Sequence, residues 1–397
     1  IRNIMRTVYY CIFLFQILII CSATESHARS DWEVRPSIVL SQSYDNNIYS
    51  QEDNIEDYVT RIGANLSAIY SGSNVNLLTN YSGTLNTYAD HSGLNVLTHD
   101  AGIKVDMERW LRRFFRDADI TISEDFMYTP ELPDLNFNED RGVRDAPGSS
   151  GLSTGRTDSY RNVFSVGLEH PVSQRQNVTI RYSNLLTEYS EPALIDNKTH
   201  SVFAGTSLMF LRDVLYGNVG ISTMSGDGVD TNSYSVTGGL RHPLSPVSAL
   251  DTNLGVETLE YEMGSSTSVM RASLQFSRQF RYVTCNTGYT RELNPASGVS
   301  TIPTRSDFIY LNTGIRHSAN LSSNIRANYS VNKSTRGSEI DTRSYNLSAR
   351  VSYLFRPWLD GNISVSHFNQ SSETPGSLNI KREQITFQIS IYPLSPH

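Results

Sequence analysis

From Pro36 onward the chain repeats one theme: roughly ten to fourteen residues in which apolar and polar side chains alternate, then a polar break. The run from Tyr58 to Tyr70 shows it most clearly. Tyr58, Ile62, Ala64, Leu66, Ala68 and Tyr70 share one face, and Arg61, Gly63, Asn65, Ser67 and Ser71 share the other, with Val59 and Ile69 as exceptions. A period of two over this length defines a strand with one apolar and one wet face. The same alternation recurs around Val178–Ser183, Met270–Ser277, Leu321–Val331, Tyr345–Tyr353 and Gln384–Ile391. The breaks predict strands at 36–44, 57–71, 74–88, 95–107, 118–129, 158–169, 177–189, 199–210, 214–224, 231–242, 249–261, 267–278, 281–292, 306–317, 321–332, 342–355, 358–369 and 379–392.

The connections differ in length in a regular way. Short ones, such as Ser71-Gly72-Ser73, Pro171–Gln176, Leu211-Arg212-Asp213 and Phe355-Arg356-Pro357, alternate with longer polar ones at 45–56, 130–157, 190–198, 293–305, 333–341 and 370–378. Short turns at one end and long loops at the other are the periplasmic and extracellular ends of an outer-membrane barrel. The expected fold is therefore all-β: a transmembrane antiparallel up-and-down β-barrel of about eighteen strands. Sixteen is the alternative, because 36–44 and 109–117 are ambiguous and Met107–Arg116 reads as a short helix or as a wide turn. Tyr58 and Tyr70 supply a geometric check. Twelve residues apart on one face of a strand tilted about 45°, they are separated by roughly 28 Å along the membrane normal, close to an apolar band ~25 Å tall between two aromatic girdles.

Composition fits this frame. Apolar residues make up 38% of the chain and the net charge is −7, a thin supply of core for a water-soluble domain and no basic patch for a nucleic acid. Arg2 and Arg6 precede an apolar run from Val8 to Ile20, and Ser26-His27-Ala28 offers small residues for cleavage, so residues 1–28 read as a secretory signal peptide. Residues 29–397 then form the barrel, with a long external loop near 130–157. Cys285 is the one cysteine after that signal, which leaves no internal disulfide and no cysteine-based metal cluster. No cofactor is expected, and metal ligation has only a fragment, Asp227-Gly228-Val229-Asp230, without the remaining ligands of a calcium loop.

The segment Trp32-Glu33-Val34-Arg35-Pro36-Ser37-Ile38-Val39-Leu40-Ser41-Gln42-Ser43-Tyr44-Asp45-Asn46-Asn47-Ile48-Tyr49, followed by Asp57-Tyr58-Val59-Thr60-Arg61-Ile62, resembles the β-barrel porin families found beside exosortase and exopolysaccharide gene clusters. In those a first strand of this kind runs into a Tyr-Asp-(Asp/Asn)-Asn-Ile turn. The family-specific part is confined to about residues 32–70. The C-terminus departs from the usual form, since Tyr392 is followed by Pro393-Leu394-Ser395-Pro396-His397 rather than closing the chain with an aromatic residue. The resemblance implies a porin-like protein of the bacterial outer membrane serving polysaccharide export. Its partners would be outer-membrane lipid and polysaccharide export machinery, and it supplies no catalytic residues.

Function is then expected in the lumen. Alternation points Arg61, Arg181, Arg241, Arg271, Arg316, Arg326, Arg350 and Arg382 inward, against few inward acids, with Asp125, Glu169 and Glu257 foremost. A guanidinium-rich wall draws anions; the opposing possibility is that the arginines pair with acids and stiffen the wall. Within 130–157, Asp134, Glu139, Asp140 and Asp145 are candidates for a loop that folds inward and narrows the channel. Asp90-His91 is a loose match to the Asp/His chemistry of barrel proteases. The function expected is a passive or export pore for exopolysaccharide or other anionic solutes, not an enzyme. The alternative is a structural surface barrel or a barrel enzyme without a transport role.

Overall fold

The structure, a computed structural model, describes residues 31–72, 75–107, 117–130, 156–226, 229–262, 264–294, 300–337, 340–373 and 379–393. The expected signal peptide, residues 108–116 and the acidic candidates Asp134, Glu139, Asp140 and Asp145 lie outside them. Eighteen strands run through the described residues. They are β1 (Asp31–Asp45), β2 (Asp57–Ser71), β3 (Asn76–Tyr88), β4 (Val96–Asp106), β5 (Asp119–Thr129) and β6 (Ser159–Ser173). There follow β7 (Gln176–Tyr189), β8 (Asn197–Phe210), β9 (Asp213–Gly226), β10 (Val229–Ser245), β11 (Ser248–Tyr261) and β12 (Ser266–Gln279). The last six are β13 (Val283–Asn294), β14 (Thr304–Arg316), β15 (Leu321–Ser334), β16 (Asp341–Arg356), β17 (Leu359–Ser372) and β18 (Ile380–Ile391).

Each strand pairs antiparallel with its neighbours in sequence, and Ile38–Asp45 of β1 pairs with Gln384–Ile391 of β18. The sheet is therefore a closed ring. Closure is what a lipid environment demands, because an open edge would leave N–H and C=O groups with neither water nor a partner. No helix among the described residues is long and apolar enough to cross a membrane; the strands do the crossing.

Three strands outrun the sequence expectation at a proline. β1 begins at Asp31 rather than 36. Its first seven residues pair with β2 alone, so one edge of this stretch has no ladder, and Pro36, which lacks an N–H, is tolerated there. β6 and β10 continue through Pro171 and Pro243, where the register shifts between Pro171 and Ser173 and between Pro243 and Ser245. A bulge spares the ladder the missing donor.

Directly opposed residues of an antiparallel ladder share a face, so the register can be followed round the ring. Ser41 faces with Arg61 and Asn86; Met127 with Arg161; Arg181 with Phe203, Gly220, Ser235 and Glu257; Ser273 with Thr290, Phe308, Ser330, Ser344 and Gln370; and Gln388 closes back on Ser41. The opposite face is the apolar one. Leu66, Ile180, Leu274, Val351 and Phe387, all expected to point outward, are 39–56% exposed on it. Aromatic pairs mark its two margins: Tyr44 against Tyr58 at the long-loop end, ring centroids 5.5 Å apart, and Trp32 against Tyr70 at the short-turn end, 4.9 Å apart. These are the tyrosines whose spacing fitted the apolar band.

Candidate functional site

Register puts all eight candidate arginines on the inner face, but their surroundings differ. Arg316, Arg326 and Arg350, on β14, β15 and β16, line one cavity of about 680 Å³ at the short-turn end of the lumen. Arg281 also lines it, and Asp360 is its one carboxylate among the described residues. The inward positions of β14–β16 are otherwise Ser, Thr, Asn, Gly and aromatic residues, with Leu354 beside the bulge. No inward carboxylate stands on these three strands. Arg181 and Arg271 come together across the curve of the wall in a second cavity of about 490 Å³, with Phe203, Asn218 and Ser235.

The other three are more constrained. Arg61 lines a smaller cavity of about 220 Å³ together with Asp100, and donates to Ser43 Oγ at 2.5 Å. Arg241 is bound to Asp251, Nε to Oδ2 at 2.9 Å, while Tyr216 donates to the other carboxylate oxygen at 2.6 Å. Arg382 corrects the expectation of an open pore-lining charge. It is buried under the 46–56 connection, with Nε at 3.0–3.1 Å and Nη2 at 2.5 Å from the Asp45 carboxylate and Nη1 at 3.4 Å from Ser50 Oγ. Arg271 keeps a looser partner, Glu257, at 3.3 Å, and Glu257 also accepts from Ser233. For Arg241 and Arg382 the pairing alternative holds: they brace the wall.

The inner face also holds more acids than the sequence reading assigned. Asp100 and Asp106 of β4 and Asp119 of β5 share it with Asp125 and Glu169. Lys104 and Arg161 are the bases on the same three strands. The lumen is thus divided. β5 stands nine strands from β14 in a ring of eighteen, so the acidic wall of β4–β6 faces the arginine wall of β14–β16 across the bore. Strands spaced ~4.8 Å and tilted ~40° close at this number into a ring roughly 35 Å across. Alternation anchored on Phe126 and Tyr128 as outward residues shows the acids of β5, and the outward set Leu97, Ala101, Ile103 and Val105 shows those of β4.

Asp90-His91 resolves as architecture. Asp57, fully buried at the start of β2, accepts the backbone N–H groups of Ala89, Asp90 and His91 and the His91 ring Nδ1 at 2.9 Å. Its oxygens are occupied in clasping the β3–β4 connection. Asp227 and Gly228 of the calcium fragment lie outside the described residues.

A closed eighteen-stranded antiparallel barrel with an apolar exterior, aromatic margins and a charged lumen has the architecture of a bacterial outer-membrane β-barrel. Among solved structures the chain is similar to Pseudomonas aeruginosa OccK2 (OpdF), crystallised alone and in complex with glucuronate. The identity is 11%, 91% of this chain and 99% of that chain are covered, and the TM-score is 0.50 in both cases. A BenF-like porin from Pseudomonas fluorescens Pf-5 is similar at 10% identity over 91% of this chain and 99% of that one, with a TM-score of 0.48. What is shared with OccK2 at such identity is the fold. No protein-family model matches the chain, and no curated protein matches it.

Proposed function

We propose that the chain is an outer-membrane diffusion channel for small solutes, in which the arginine wall of β14–β16 holds the anionic end of a passing molecule. One observation carries this reading: Arg316, Arg326 and Arg350 line a single cavity on the lumen, and the opposite wall is acidic. Fixed charges on the walls of a bore lined by low-dielectric protein focus the field and raise the local concentration of counter-charge. A carboxylate meets guanidinium donors in a bidentate geometry that lysine cannot offer. Segregated signs also orient a molecule that carries both. Polysaccharide export, with its machinery as partner, rests on the resemblance of residues 32–70 alone, and the small-solute reading is preferred.

The test is ion selectivity. Full-length protein is reconstituted in a planar bilayer and the reversal potential is read under a KCl gradient, for the parent and for the combined Arg316→Gln, Arg326→Gln, Arg350→Gln variant. The parent should pass chloride at least as readily as potassium, and the variant should shift toward potassium. The difference should shrink as salt rises, because the Debye length falls from ~10 Å at 0.1 M to ~3 Å at 1 M. A reversal potential that the triple substitution leaves unmoved at low salt would contradict the role given to this wall.

A further inference from the structure

The outer surface carries a charged feature that the lumen does not use. On the long-loop half of β13–β16 the register stacks the outward residues in rows. The lowest holds Thr287, Leu311, Ala327 and Leu347; above it stand Tyr289, Ile309, Tyr329 and Tyr345. The next row is Arg291, Asp307, Val331 and Arg343, and the uppermost is Leu293, Arg305, Lys333 and Asp341. Apolar band, tyrosine girdle and cations thus follow one another in the order of acyl chain, interface and headgroup. With strands ~4.8 Å apart and rows of one face ~6.7 Å apart, the four cations occupy a patch roughly 14 Å wide and 7 Å tall.

Ion pairs set their geometry. Asp307 takes Arg291 Nε at 2.5 Å, the Tyr289 hydroxyl at 2.6 Å and Arg305 Nε at 3.4 Å; Lys333 lies 2.9 Å from Asp341, and Arg343 lies 3.3 Å from Glu373. Exposed pairs of this kind contribute little to stability, so stability alone is a weak reason to gather them. A guanidinium has five donors, and one carboxylate partner leaves several for a ligand. The contrast with β7–β12 is in sign. On β7–β12 the outward ends carry Glu188, Asp230 and Glu260 with Lys198 the one base, a surface that repels anions.

We propose that Arg291, Arg305, Lys333 and Arg343 form a binding site on the barrel's exterior for the phosphorylated headgroup of an outer-leaflet glycolipid, whose acyl chains lie on the apolar rows below. The occupant follows from the combination: a free phosphate would use the cations and ignore the tyrosine and leucine rows beneath them. Each Lys or Arg near a membrane surface adds to the attraction for an anionic lipid, so removing three should weaken binding tenfold or more.

The experiment measures binding of the full-length folded protein in mixed micelles to bisphosphorylated lipid A and to its dephosphorylated form, with inorganic phosphate as competitor. The proteins compared are the parent, a combined Arg305→Gln, Lys333→Gln, Arg343→Gln variant and a Lys198→Gln control. Heat-modifiable mobility on gels checks that each barrel is folded; should the triple variant fail it, Lys333→Gln and Arg343→Gln are measured singly. The expected result is binding that needs the phosphates, falls at least tenfold in the triple variant, survives in the control and resists millimolar phosphate. Equal binding by the parent and the triple variant, or equal binding of the dephosphorylated lipid, would overturn the site. Competition by phosphate as strong as by lipid A itself would overturn the glycolipid in favour of a simple anion.

Discussion

Arginine on the inner face lies in two kinds of surroundings, and these decide what is expected of each side chain. Arg350 opens onto the 680 Å³ cavity, whereas Arg382 lies under the first long connection with Asp45 against it. Removing one partner of a buried ion pair leaves the other charge stranded in low dielectric, at a cost of about 3–5 kcal/mol. Arg382→Gln should therefore lower the urea midpoint of the detergent-folded barrel markedly and leave ion selectivity near the parent's. Arg350→Gln should shift ion selectivity and lower the midpoint less. Equal stability of the two variants would show that the Asp45 pair does not brace the wall. The sequence could not distinguish these arginines, since both follow the same alternation. The difference is made by residues 46–56 folding over the seam, where Asn47 Nδ2 reaches Lys381 O at 3.0 Å across 334 positions of chain. The same holds for Asp57, whose partners at 89–91 are loop neighbours only after folding.

At the scale of a strand, the two faces are the claim with most leverage. Val236 and Thr237 are adjacent in β10, yet Val236 is 63% exposed on the apolar exterior and Thr237 lines the 490 Å³ cavity. An arginine on the lipid face near the midplane costs about 2–4 kcal/mol, and one facing an aqueous lumen costs little. Val236→Arg should lower unfolding stability in phospholipid vesicles by about that amount, and Thr237→Arg should leave it nearly unchanged. A larger loss from Thr237→Arg would invert the barrel. Faces of this kind were legible from the sequence because a period of two needs no knowledge of partners. β2 was bounded at 57–71 from alternation alone, and the structure gives the same limits. Strand ends at proline were less legible. A bulge at Pro171 or Pro243 and a one-sided edge at Pro36 are properties of the paired sheet, which local propensity does not contain.

The whole molecule adds what no strand holds by itself: closure, and the opposition of charged walls. Eighteen antiparallel strands with both described ends on the short-turn side were expected, because an even count and a lipid surround leave no free edge. The division of the lumen was not. It depends on β5 and β14 standing across the ring from each other, a relation set by strand number rather than by any local pattern. On the proposed function, the position of a solute's charge relative to the two walls should govern its passage more than the net lumen charge does. The central claim beneath this is that the barrel conducts. Single-channel recording of the purified full-length protein, its fold verified by heat-modifiable mobility, tests that claim most directly. The account predicts discrete, stable current steps that add as molecules insert and that change in ion preference with the β14–β16 triple substitution. Correctly folded protein that inserts and yields no current steps at any salt concentration would contradict it.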